Sequence, residues 1–192
     1  MSKPMETWPR PHRITVDEYS RMAEVGLFAP DARVELIEGE IFDMQWPIGK
    51  DHGSVVDQLS YLFIRTIGDR ATVRVQGSIV LSSISMPRPD VAILKPQADF
   101  YRSRHPTGDD TLLIVEVSDS SLRHDRRVKV PLSARHGVPE VWIVDLQNNR
   151  LLFYRSLVNG EYLDTSWTSK PDVTPIAALS QVSIDLSRLL GA

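Results

Sequence analysis

Two short apolar runs each carry one carboxylate: Pro87-Arg88-Pro89-Asp90-Val91-Ala92-Ile93-Leu94 and Leu112-Leu113-Ile114-Val115-Glu116-Val117-Ser118. Both are rich in aliphatic and β-branched residues with turn formers at their edges, a pattern that predicts two strands inside a sheet. Bringing an ionised carboxylate into an apolar layer costs several kcal/mol unless a cation or a set of donors compensates it, so Asp90 and Glu116 are expected to share a partner. Two hard oxygen ligands on neighbouring strands suit Mg²⁺ or Mn²⁺, and a chain with no cysteine offers no thiolate to structural zinc. Each acid also has an ordinary reading. Asp90 can open its strand in a turn beside Arg88, and Glu116 can sit at a strand end bonded to Ser118.

The next segment, Ser118-Asp119-Ser120-Ser121-Leu122-Arg123-His124-Asp125-Arg126-Arg127-Val128-Lys129, weakens those ordinary readings when the two acids are taken together. Serines and Asp after a strand are helix N-cap formers, which predicts a helix from about Ser120 or Ser121 toward Gly137. On it Asp125 and Lys129 are i and i+4. They form either a surface ion pair worth roughly 0.3–0.5 kcal/mol or a pair whose ammonium lies over the strand end where Glu116 emerges. Pro131 costs a helix interior about 3 kcal/mol unless the helix kinks there, and a kink one turn past Lys129 would alter the aim of that side chain.

Elsewhere the pattern gives a polar arm with three prolines over residues 1–12, followed by one domain over 13–192. Thr15 and Glu18 form a capping box for a helix with Tyr19, Met22 and Ala23 on its apolar stripe, ending at Gly26. Residues 33–44 alternate on both sides of Glu38-Gly39 and read as a hairpin. Glu35 lies mid-strand there, either facing solvent or as a third unusual carboxylate. Val55, Val56, Leu59, Leu62 and Phe63 space an amphipathic helix to about Gly68, with His52 at its start as a capping residue, a packing residue or a ligand. Residues 72–81 read as a strand, 97–110 as a polar connection, Val141–Val144 as a buried strand, and 151–154 and 161–163 as a meander after it. A short helix near 186–190 closes the chain. The middle therefore runs helix, strand, strand, strand, helix, strand. That is an α+β arrangement with a mixed central sheet flanked by helices.

The formal net charge of −3 argues against non-specific coating of nucleic acid, so any such binding must use a local cluster. Arg123, Arg126 and Arg127 supply one beside the proposed site; Arg102 and Arg104 next to His105 read as a solvated face. No apolar segment is long enough for a membrane span or signal core, and the absence of cysteine is compatible with the cytoplasm.

The Glu-Leu-Ile-Glu-Gly-Glu hairpin, His52, Arg-Pro-Asp90-Val-Ala, Ile-Val-Glu116-Val-Ser, the Asp125/Lys129 pair, Gly-Val-Pro-Glu-Val-Trp-Ile-Val-Asp at 137–145 and the closing Thr-Pro…Leu-Ser-Arg-Leu-Leu together resemble the Uma-two family of endonucleases, within the PD-(D/E)XK restriction-nuclease superfamily. The likeness runs from about residue 13 to the end. It implies an αβββαβ restriction-endonuclease-like core in which Asp90, Glu116 and the main-chain carbonyl of Val117 bind Mg²⁺. The superfamily's usual lysine, two residues after the Glu, is Ser118 here, and the resemblance implies that Lys129 replaces it. It also implies a place for Glu35 near the metal and a supporting role for His52.

The chemistry implied is Mg²⁺-dependent hydrolysis of DNA phosphodiesters, with Lys129 orienting water or steadying the developing oxyanion. Arg123, Arg126 and Arg127 would contact phosphates. Alanine at 90, 116 or 129 is expected to abolish cleavage and leave the fold intact. A homodimer is expected by analogy, with the C-terminal meander as its candidate interface. Two alternatives stand beside this reading: a non-catalytic DNA-binding or assembly module on a nuclease fold, and a hydrolase of a small phosphorylated molecule, against which the lack of a Gly-rich phosphate loop counts.

Overall fold

The structure is a computed structural model, and it describes residues 9–29, 31–44 and 49–190. The bulk of the expected 1–12 arm lies outside the described residues. Helix α1 (Val16–Glu24) starts as the capping box demands: Thr15 Oγ1 accepts from the Glu18 amide at 3.2 Å, and Glu18 Oε2 accepts from the Thr15 amide at 2.8 Å. Strands β1 (Val34–Ile37) and β2 (Glu40–Asp43) form the expected hairpin, turning at Glu38 (φ 50°) and Gly39 (φ 79°). Two successive positive φ values match the right-handed strand twist, and a Cβ at Gly39 would meet Arg13 Cβ at 2.6 Å, so that position requires glycine.

Helix α2 (Lys50–Ile67) buries Val56, Leu59, Phe63 and Ile67 against the sheet. Strand β3 (Thr72–Val75) is shorter than the alternation over 72–81 suggests: the backbone leaves the sheet at Gln76, and Ile79 and Leu81 are buried from a loop instead. Their period-two spacing reflects local pairing outside the main sheet, with Ile79 N–H bonded to the Pro87 carbonyl and Leu81 N–H to the Ser85 carbonyl. Strands β4 (Val91–Leu94) and β5 (Thr111–Ser118) are buried throughout, as their apolar runs require.

After β5 the backbone runs through α3 (Leu122–His124), one turn of π-helix over Asp125–Lys129, and α4 (Val130–Arg135). Pro131 is accommodated by this π turn, which takes in an extra residue just before it. Val130 N–H reaches back five residues to the Asp125 carbonyl, and Pro131 falls in the first turn of α4, where its missing N–H leaves no helix bond unmade. Ser121 sits at the N-cap position without capping; its hydroxyl donates to Asp125 Oδ2 at 2.6 Å.

Strands β6 (Val141–Asp145), β7 (Arg150–Val158) and β8 (Glu161–Thr168) complete a six-stranded sheet in the order β3-β4-β5-β6-β7-β8. Only the β5–β6 pair is parallel, and the helical segment 122–135 is its crossover. This is an α+β fold with a mixed central sheet, and the order α2, β3, β4, β5, helix, β6 is the αβββαβ core. The tail differs from the expected short helix. Strands β9 (Val173–Ile176) and β10 (Leu179–Asp185) pair antiparallel and send Ile176, Val182 and Ile184 against the α2 layer, and a simple turn follows.

Period two decides what each face of the sheet holds. Val115, Val117, Trp142 and Val144 face α2, whereas Ala92, Ile114 and Ile143 face Val130 and Leu132 of α4. Asp90 precedes Ala92 by two residues and Glu116 follows Ile114 by two, so both acids belong to the α4 face.

Glu140, just before β6, is fully buried and was not foreseen. It accepts from Trp142 Nε1 at 2.6 Å, from the Ala177 amide at 2.9 Å and from Arg155, tying the sheet to the β9–β10 hairpin. Glu140→Ala strands two buried donors and is expected to cost about 2–3 kcal/mol. Urea denaturation at neutral pH checks this.

Candidate active site

The α4-side face of β4 and β5 opens into a cleft of about 360 Å³ that has Glu35, Asp90, Glu116, Asp125 and Lys129 among its lining residues. Five elements deliver them. Glu35 comes from β1, where it shares a face with Ile37 of the α4-side core, so the solvent-facing reading of Glu35 is overturned: it is 0% exposed. Asp90 and Glu116 come from the edges of β4 and β5, His52 from the first turn of α2, and Asp125 and Lys129 from the π turn.

Lys129 lies at the centre. Its Nζ is 3.0 Å from Glu35 Oε1, 3.4 Å from Glu116 Oε1 and 3.8 Å from Asp125 Oδ1, with the lysine side chain only 5% exposed. The surface-pair reading of Asp125 and Lys129 is therefore wrong, because both are buried. Burial works against the Lys129 charge, but Glu116, Glu35 and Asp125 outweigh it and raise its pKa well above the usual lysine value. Asp125 is fixed by the hydroxyls of Ser118 at 2.7 Å and Ser121 at 2.6 Å, so Ser118 does not bond Glu116 but holds the partner of the lysine.

Asp90 is held from three directions. Its Oδ2 accepts from the Val117 amide at 2.9 Å and lies 3.2 Å from His52 Nε2, and its Oδ1 lies 3.4 Å from Gln76 Nε2. Burial pushes Asp90 toward its neutral form, yet His52, the Val117 amide and Lys129 together bring its pKa below the usual value. The bond to Asp90 in turn raises His52 against the opposing effect of burial. Arg88 is not the ion partner of Asp90: its amide donates to Glu35 Oε1 at 3.2 Å and its side chain bonds the Gln76 carbonyl. Gln76 was missed in the sequence. The only cue was the glycine directly after it, a residue that often marks a bulge or the end of a strand.

Four carboxylates thus face one ammonium and one imidazole. The surplus shows at Glu116, whose pKa lies well above the carboxylate range through burial first, with Asp125, Asp90 and Glu35 adding to it and Lys129 opposing. Glu35 Oε2 and His52 Nδ1 are buried with no hydrogen-bond partner. Among the described residues no three acid or imidazole groups already close on one point, because Lys129 stands between three of the acids. The donor set nonetheless fits a hard divalent cation: the oxygens are carboxylates, one of them is unsatisfied, and the four acids outnumber Lys129 and His52, the side chains that ion-pair them.

Arg123, Arg126 and Arg127 are exposed and sit outside this cleft, lining a separate shallow depression with Leu122 and Tyr154, whose hydroxyl meets Arg126 Nε at 3.0 Å. Arg104 is spent on Asp110 through two bonds of 2.6 and 2.9 Å and stacks over Tyr101, which bears out its reading as a surface group apart from the site. Among the described residues no helix is long and apolar enough to cross a membrane.

No curated protein matches the chain in sequence. Its structure is similar to the crystal structure of a putative nuclease belonging to DUF820 from Anabaena variabilis, with a TM-score of 0.68 at 16% identity over 92% of this chain and 97% of that one. At that identity the likeness speaks for the restriction-endonuclease-like fold alone. The Uma2 family, described as "Putative restriction endonuclease", matches residues 16–187, nearly the whole of the fold and every residue of the acid cluster, and this chain belongs to it.

Proposed function

We propose that the protein is a metal-dependent endonuclease of the PD-(D/E)XK type that hydrolyses DNA phosphodiester bonds with a single domain over residues 13–192. One observation carries most of this reading: Lys129, almost sealed from solvent, is ion-paired to acids from two separate strands in a cleft that a third strand's Asp90 also faces. A purely structural ion pair would not need surplus acids beside an open cleft.

Asp90, Glu116 and the Val117 carbonyl would hold Mg²⁺ or Mn²⁺, which when bound supplies charge relief at the phosphate and acidifies a water. Lys129 stays cationic under the pull of its three acids and is placed to orient that water or to steady charge growing on a phosphate oxygen. Glu35 and Asp125 fix the ammonium, Ser118 and Ser121 fix Asp125, and His52 fixes Asp90. Arg123, Arg126 and Arg127 supply sequence-independent phosphate contacts flanking the cleft. A homodimer would give one centre per strand; β8 offers its surface, with Leu163 67% and Trp167 62% exposed. A cytoplasmic location goes with this reading.

Supercoiled plasmid incubated with the protein is expected to be nicked and linearised with Mg²⁺ or Mn²⁺ and left intact in EDTA. Plasmid binding without cutting under both conditions would replace this reading with a DNA-binding module.

A further inference from the structure

Gln76 is the residue at which β3 leaves the sheet, and its backbone is left-handed, φ 49°. That conformation is costly for any residue with a Cβ and is normally given to glycine. A glycine stands one place later, where a Cβ would meet Arg74 Cδ at 2.6 Å. The chain therefore keeps glutamine at the strained backbone position although a glycine stands directly beside it. Strain of this kind, held at a cleft, points to a task for the side chain.

The contacts define the task. The Gln76 amide donates to the Asp90 carbonyl at 2.9 Å, and its Nε2 reaches Asp90 Oδ1 at 3.4 Å. Its Oε1 accepts from Arg33 Nη2 at 2.6 Å, and its carbonyl accepts from the Arg88 side chain. The amide can face only this way, since the flipped form would set an N–H against the Arg33 guanidinium. Arg33, Arg88, Gln76 and Asp90 all line the same cleft.

We propose that Gln76 is a positioning residue that holds the Asp90 carboxylate toward the cleft and couples it to Arg33 and Arg88, and that these two cleft guanidiniums add to the substrate's phosphate contacts. Asp90 Oδ2 is already fixed by Val117 and His52, so Gln76 sets the remaining rotation about the carboxylate and with it the direction of Oδ1. A phosphate drawn to Arg33 is thereby felt at Asp90 through one amide. This rests on the reading of the cleft as a metal-dependent phosphodiesterase centre and adds to it the link between substrate contact and ligand geometry.

Gln76→Gly and Gln76→Asn separate this role from a structural one. Both residues accept the left-handed backbone and neither spans Arg33 and Asp90; the Asn variant controls for the extra freedom glycine gives the unfolded chain. Three quantities are compared with wild type: the metal-free melting temperature, the Mn²⁺ concentration giving half the Mn²⁺-induced rise in that temperature, and plasmid nicking. The expected result is a metal-free melting temperature unchanged or higher, with Mn²⁺ response and nicking both weaker by roughly tenfold or more, as for loss of a group that orients a metal ligand. Variants that match wild type in Mn²⁺ response and nicking would leave Gln76 a turn residue only. A melting temperature lowered in both would make the side chain structural and overturn the proposal. Wild type that neither responds to Mn²⁺ nor nicks would remove the phosphodiesterase reading itself, and the proposal with it.

Discussion

Lys129→Ala is expected to lose about 3–5 kcal/mol of stability at neutral pH, along with the cleavage proposed for the protein, because it removes the one ammonium held by Glu35, Glu116 and Asp125 and leaves their buried acids uncompensated. Sequence alone predicts an intact fold for this variant; the burial of all four groups corrects that expectation. The loss should depend on pH in a definite direction. Burial and neighbouring acids raise the pKa of folded Glu116 above its unfolded value, and without Lys129 opposing them they raise it further. Folding then takes up a proton, so stability is greatest below the unfolded carboxylate pKa and falls as pH rises through the folded one. With EDTA present, the melting gap between wild type and Lys129→Ala should therefore widen as pH rises above the ordinary carboxylate range, and Mn²⁺ should narrow it by supplying the missing charge. A gap of less than roughly 1 kcal/mol that ignores pH would mean that solvent already screens the cluster.

The acids that proved central were visible wherever a charge interrupted an apolar run. Asp90 and Glu116 stand out because β4 and β5 are buried on both faces, so their sequences carry almost no other polar residue. Glu35 was ambiguous for the opposite reason: β1 and β2 alternate, and alternation alone does not say which face a second layer will cover. The hairpin turn, the capping box and the extent of α2 were legible because each depends on residues close in sequence. The π turn was only half legible. Pro131 announced a break, but the extra residue taken in before it places Lys129 against Glu35, a partner 94 residues away that local sequence does not reveal. The β9–β10 hairpin was missed because its strands pair through a register shift, which spoils the alternation, and because its apolar residues matter only once α2 is beside them. Glu140 looks like a turn residue ahead of its strand, and Gln76 falls inside the alternation over 72–81, so neither shows its role until the partners that surround it are known.

Glu116→Gln should separate stability from activity in the direction opposite to Lys129→Ala. The amide has nearly the same shape as the carboxyl group and cannot ionise, so Lys129 keeps Glu35 and Asp125 while the cluster is rid of an acid that burial and its neighbours already push toward its neutral form. Without metal the variant should be as stable as wild type or gain on the order of 1 kcal/mol, since replacing part of an over-acidic buried cluster is often stabilising. Nicking of plasmid should fall by roughly three orders of magnitude or more, matching the several kcal/mol a correctly held divalent ion supplies. The rise in melting temperature caused by Mn²⁺ should shrink at the same time. Groups kept for function commonly reduce stability, whereas groups kept for the fold do not, so opposite signs for stability and activity identify Glu116 as part of the working centre. If Glu116→Gln instead melts as early as Lys129→Ala in EDTA, the acid is needed chiefly as the lysine's structural counter-ion. The nuclease assignment would then have to rest on Asp90 alone, which cannot hold the ion without a second carboxylate beside it.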